Sequence, residues 1–124
     1  RRLLLRTDHW QDATVVVANE YALLTLPDSQ DLICITLLDG REVWRQPRGR
    51  RQAIAAVHQG NVVLIGQEAV EAIQLATGEP AWQAVLPIPG PAGRGFRHGR
   101  WFVLPLARGE AATIDLESGR MVAR

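Results

Sequence analysis

The chain has 124 residues, 47% hydrophobic and 22% charged, the balance of a globular chain able to bury a core. Fourteen basic and thirteen acidic side chains leave a formal charge of +1, so no whole-molecule field favours nucleic acid or an anionic membrane. Leu3-Leu4-Leu5 is the apolar run next to the N-terminal arginines, far short of the ~20 residues that span a bilayer, and direct membrane insertion is not expected.

A single cysteine, Cys34, excludes an internal disulfide and a cysteine-based zinc site. Every basic residue is arginine. Arginine suits bidentate carboxylate or phosphate recognition, and the plainer reading is the residue usage of a GC-rich genome. The chain starts at Arg1 rather than Met, which reads as a processed product or a segment of a longer protein.

In chain order, Thr14 to Ala18 and Tyr21 to Leu26 read as apolar strands. A third strand carries Ile35 and Leu37 on one face. Asp39-Gly40 then offers a turn in which glycine is free to take positive φ, and a strand with Val43-Trp44 follows. After the connection from Arg45 to Arg51 the pattern begins again. Ala53 to His58 and Val62 to Ile65 flank the turn Gln59-Gly60-Asn61; Ile73 and Leu75 precede Thr77-Gly78; Ala81-Trp82 comes next. Pro87, Pro89 and Pro91 punctuate the second joint. The last round has Gly93 to Arg97, the turn His98-Gly99-Arg100, Trp101 to Leu104, Ile114 and Leu116, and Ser118-Gly119. The second strands are almost continuously apolar, the mark of strands covered on both faces. No stretch shows sustained helical periodicity.

These are three copies of one unit. Each reads Ile-x-Leu-x-(Asp/Thr/Ser)-Gly at Ile35, Ile73 and Ile114, with the glycines 78 − 40 = 38 and 119 − 78 = 41 residues apart. A tryptophan stands four residues past the first two glycines, at Trp44 and Trp82, and Ala123 takes that place in the third copy. The expected fold is all-β, with about three four-stranded antiparallel units over residues 13–46, 53–84 and 93–124 of one repeat region.

The repeat resembles the blade of quinoprotein (pyrroloquinoline-quinone) dehydrogenase-like β-propellers. Five places of that family's tryptophan-docking segment are taken by Cys34, Thr36, Gly40, Arg41 and Trp44 in the first copy. In the second, Ala72, Gly78 and Trp82 match while Gln74 and Glu79 depart; in the third, Asp115, Gly119 and Arg120 match while Thr113 and Ala123 depart. The resemblance implies that Trp44 and Trp82 pack between neighbouring blades. It also implies a periplasmic or extracytoplasmic setting, which composition leaves open. Propellers close with four to eight blades, so three blades form a partial propeller with two open inter-blade faces. The remaining blades of a larger chain, or self-association, would complete it.

Candidate chemistry is sparse. Arg45, Arg48, Arg50 and Arg51 could grip phosphate or an acidic partner, or form a solvated inter-blade loop without the aromatic residues of a single-strand platform. His58 and His98 hold equivalent places that the repeat itself explains, and His9 stands alone. Ser29 and Ser118 lack a nucleophile-elbow context. Cys34 reads as a buried thiol. Gly90-Pro91-Ala92-Gly93-Arg94-Gly95 matches no nucleotide fingerprint.

The resembled dehydrogenases hold their quinone over calcium with carboxylate and amide ligands, and many add a disulfide between adjacent cysteines. Neither signature is present in this sequence. No catalytic, cofactor-binding or metal residue is assigned, and no cofactor is expected. The reading is a non-catalytic β-propeller-type binding or scaffold module with a protein partner. Its alternatives are a fragment of a quinoprotein dehydrogenase with the active site elsewhere, or a small-ligand sensor.

Overall fold

The computed structural model describes residues 14–25 and 30–124. Among these residues, twelve strands form three antiparallel sheets of four, each in meander order. The first blade holds β1 (Thr14–Ala18), β2 (Tyr21–Thr25), β3 (Asp31–Thr36) and β4 (Glu42–Pro47). The second holds β5 (Arg51–His58), β6 (Asn61–Gly66), β7 (Ala69–Gln74) and β8 (Leu86–Pro87). The third holds β9 (Phe96–His98), β10 (Trp101–Pro105), β11 (Ala111–Asp115) and β12 (Arg120–Ala123).

Period-two alternation explains why the middle blade can be covered on both faces. On β6, Val62 and Leu64 point to the first blade, where Leu23, Leu32 and Cys34 meet them. Their neighbours Val63 and Ile65 point the other way and pack with Phe102, Leu104 and Ile114 of the third blade. The core is therefore two slabs, one in each seam between blades.

The turn after the third strand is built alike in every blade. Gly40, Gly78 and Gly119 have φ of 69°, 78° and 75°, a region open to glycine at little cost. Each donates its N–H four residues back, to Thr36, Gln74 and Asp115 at 2.9, 2.7 and 2.8 Å. Leu37, Leu75 and Leu116 next donate to Glu20, Gly60 and Arg100 at 2.9, 2.9 and 2.7 Å. This bond ties each turn to the first hairpin of its own blade.

Three expectations need correction. Trp82 is not on a fourth strand. Pro80 has no N–H to give to the ladder, pairing stops at an isolated bridge to Ile73, and β8 starts only at Leu86. In the first blade Gln46, two residues past Trp44, pairs with Leu32. In the second it is Leu86, four past Trp82, that pairs with Val70, so two extra residues loop out. The first strand of the third blade is shorter than Gly93 to Arg97 and begins at Phe96. A Cβ on Gly95 would lie 2.3 Å from the Val103 carbonyl oxygen and 2.6 Å from the Phe102 ring, so glycine is required by close approach there. Finally, β5 starts earlier, at Arg51, and carries two register shifts against β6. Leu26, the expected end of the second strand, lies outside the described residues.

Candidate interaction surface

Each seam is fastened by one indole. Trp44, paired with Cys34 across β3 and β4, donates from Nε1 to the Leu75 carbonyl of the second blade at 2.7 Å. Its ring lies against Gly78, where a Cβ would stand 2.9 Å from Cδ2. Trp82 repeats the contact one blade later, donating to the Leu116 carbonyl at 3.1 Å with its ring on Gly119. The Cys34 Sγ also faces the Leu75 carbonyl, at 3.3 Å. Burial pushes that thiol up to about 11, so it stays protonated and unreactive at neutral pH.

A polar cluster ties the second blade to the third at their hairpin end. Arg97 donates to the Val57 carbonyl, to the Gly99 carbonyl at 2.8 Å and to His58 Nδ1 at 2.7 Å. Because arginine can only donate, Nδ1 accepts, and the ring hydrogen sits on Nε2, which faces a Glu117 oxygen at 3.6 Å. Arg100 grips Asp115 through two nitrogens at 3.1 and 2.6 Å and lies 5.0 Å from the centroid of the Trp101 ring. The Arg100 guanidinium holds the Asp115 carboxyl well below the usual carboxylate range, although partial burial opposes it. His58 and His98 both end the first strand of their blades, and only His58 is drawn into this cluster.

The arginine-rich connection meets acids of its own chain. Arg45 pairs with Asp31 at 3.2 Å and Glu42 at 2.9 Å, and Arg50 pairs with Glu68 at 3.2 Å. Arg51 grips Glu71 through two nitrogens at 3.1 and 3.0 Å. Its third nitrogen reaches Gln46 at 2.7 Å, whose own amide donates to the Gly78 carbonyl at 3.0 Å. Arg48 is buried in the joint. An open groove of about 350 Å³ runs between this connection and residues 66–69. Ser118 lies in its turn and accepts from the Arg120 N–H at 3.3 Å. His9 and Ser29 lie outside the described residues.

What sequence reading missed is the apolar surface at the two ends. Val15 and Val17 are 61% and 56% exposed, Leu37 48% and Leu38 96%. At the other end Phe96 is 63% and Trp101 37% exposed. Val15-Val16-Val17 is a continuous apolar run in sequence, which by itself does not separate an outward face from core.

Among solved structures, the chain is similar to BamB from Moraxella catarrhalis, with a TM-score of 0.62 at 15% identity over 88% of this chain and 38% of that one. It is also similar to the quinohemoprotein alcohol dehydrogenase ADHIIG from Pseudomonas putida HK5, with a TM-score of 0.63 at 22% identity over 94% and 20% of the two chains. A third similarity is to the N-terminal domain of Nup159, with a TM-score of 0.60 at 13% identity over 91% and 30%. No protein-family profile and no curated protein matches the sequence. The three sheets are thus blades of the β-propeller fold. The chain spans 38% or less of each of these three structures.

Proposed function

We propose that the chain is a non-catalytic β-propeller-type module that binds a protein partner. One observation carries the reading. The described cysteine, two tryptophans and several polar side chains are engaged at the seams, while large apolar side chains stand in solvent on both end blades. Cys34, Trp44, Trp82, Arg51, His58 and Arg97 all contact a neighbouring blade or joint. Exposed apolar patches on a folded chain mark surfaces that meet another protein. The likeness to BamB and Nup159 supports the same reading at the level of fold.

The described residues offer no carboxylate cluster for a calcium-held quinone. Among the described residues no three of His, Cys, Asp and Glu converge on a metal-sized site, and Asp115 and Glu117 are turned onto Arg100 and His58. The alternative is a fragment of a quinoprotein dehydrogenase with its active site in other blades, to which the fold-level likeness over 94% of this chain is equally suited.

Purification of the intact protein under native conditions tests the proposal. Stable co-purification with a stoichiometric protein is expected. Isolation of the protein alone with a tightly held small molecule would overturn it. A calcium-dependent absorbance change on adding pyrroloquinoline quinone would favour the dehydrogenase instead.

A further inference from the structure

The seam between the second and third blades holds a titratable cluster that its counterpart between the first and second does not repeat. The strand registers set His58 level with Ala18, and Arg97 level with Val57. The turns after the third strands set Glu117 level with Ala76. Three apolar residues of the first seam are therefore replaced by a histidine, an arginine and a glutamate in the second. The repeat alone does not call for them.

Arg97 divides its guanidinium between two blades. It donates to the Gly99 carbonyl of its own hairpin at 2.8 Å. Across the seam it donates to the Val57 carbonyl and to His58 Nδ1, the latter at 2.7 Å. Nδ1 can accept only while it carries no hydrogen, so the ring hydrogen is on Nε2. That atom is buried, with no hydrogen-bond partner among the described residues, and a Glu117 oxygen stands 3.6 Å away. Among the described residues, Arg97 and Glu117 are the charged groups that meet the ring. Behind them Arg100 lies 3.8 Å from the other Glu117 oxygen and grips Asp115 at 2.6 Å.

We propose that His58 is a proton-operated latch on β9. The neutral ring holds Arg97. A proton on Nδ1 removes the lone pair and sets two cationic donors face to face, so Arg97 leaves the ring. The imidazolium then turns its charge to Glu117 through Nε2, as a charge-assisted hydrogen bond. The proton thus hands the second blade over from the first strand of the third blade to the turn after its third strand. β9 is the element able to respond: three exposed residues at the edge of the sheet, paired only with β10. It carries Phe96, 63% exposed, so the latch acts on the apolar surface assigned above to a partner. That consequence rests on the binding-module reading; the latch itself does not.

NMR of the full chain between pH 8 and about 5 tests it, a range in which histidines commonly change charge and Asp115 stays ionised. Nitrogen-15 shifts of the His58 ring should place the hydrogen on Nε2 at the alkaline end and on both nitrogens at the acid end. Amide protection factors, corrected for the intrinsic rate at each pH, should fall at least about fivefold for Phe96–His98 over the same titration. The Leu116 amide should change less than about twofold. In His58→Asn the side-chain oxygen can accept from Arg97 without titrating, so the step should vanish and protection stay at its alkaline value. Glu117→Gln removes the acid-state acceptor and should move the step to lower pH. A ring hydrogen on Nδ1 at pH 8 overturns the proposal, as does a ring that takes up no second hydrogen over this range. Unchanged protection of β9 as the ring titrates overturns it too. So does a step that persists in His58→Asn, or one that Glu117→Gln leaves in place. None of these outcomes depends on whether the intact protein co-purifies with a partner.

Discussion

An indole laid on a glycine turn leaves no room for a Cβ, so Trp82 and Gly119 form one joint rather than two separate contributions. A Cβ at Gly119 would stand 2.5 Å from Cδ2 of the ring, and only 6% of Trp82 is exposed. Removing a buried indole in Trp82→Ala should cost about 3–5 kcal/mol, from lost burial and the cavity left behind. Gly119→Ala should cost about 1–3 kcal/mol by overpacking. In the double variant the clash disappears, and the glycine substitution should cost only the roughly 1 kcal/mol of its positive φ. Urea unfolding of the four proteins measures the cycle. Strict additivity would mean that ring and turn do not touch.

At the scale of elements, the hairpin of β10 and the turn after β11 are locked by Arg100 on Asp115. The carboxyl is depressed in the folded chain, chiefly by the hydrogen bond from Arg100, whereas an unfolded Asp titrates near 3.9. A depressed carboxylate contributes stability that is complete above the unfolded value and is lost as pH falls below it. The urea midpoint should therefore hold between pH 7 and about 5, then fall below about 4 as the unfolded chain takes up the proton. Asp115→Asn should lower the midpoint at pH 7 and flatten the acid limb. An equally steep acid limb in the variant would assign the loss to other carboxylates. Asp115 was visible in sequence as a match to the blade repeat. Its partner was not, because Arg100 lies fifteen residues away and meets it only through the pairing of Trp101 with Asp115.

At the scale of the molecule, the buried core of the described residues lies in two seams, one between each pair of successive blades, so stability should divide by seam. Trp44→Ala weakens the seam between the first and second blades and leaves that between the second and third whole. Hydrogen exchange followed by mass spectrometry should show β1–β4 losing protection by at least about tenfold while β10 and β11 change little, since a local opening free energy reports its own unit. Equal loss in all three blades would show a single cooperative unit.

The sequence by itself determined the count of blades, the alternation of their strands, the glycine turns and the repeat spacing of Trp44 and Trp82. These are local matters, set by side-chain period and by the φ a turn demands, and they repeat because the local problem repeats. Tertiary structure alone decided which carbonyl each indole meets, how Pro80 moves Trp82 off its strand, and which acids answer the arginines. It also decided that Val15, Val17 and Leu37 of the first blade stand exposed. Each of these depends on register between chain segments that are far apart in sequence, and a one-residue shift would carry every side chain to the opposite face.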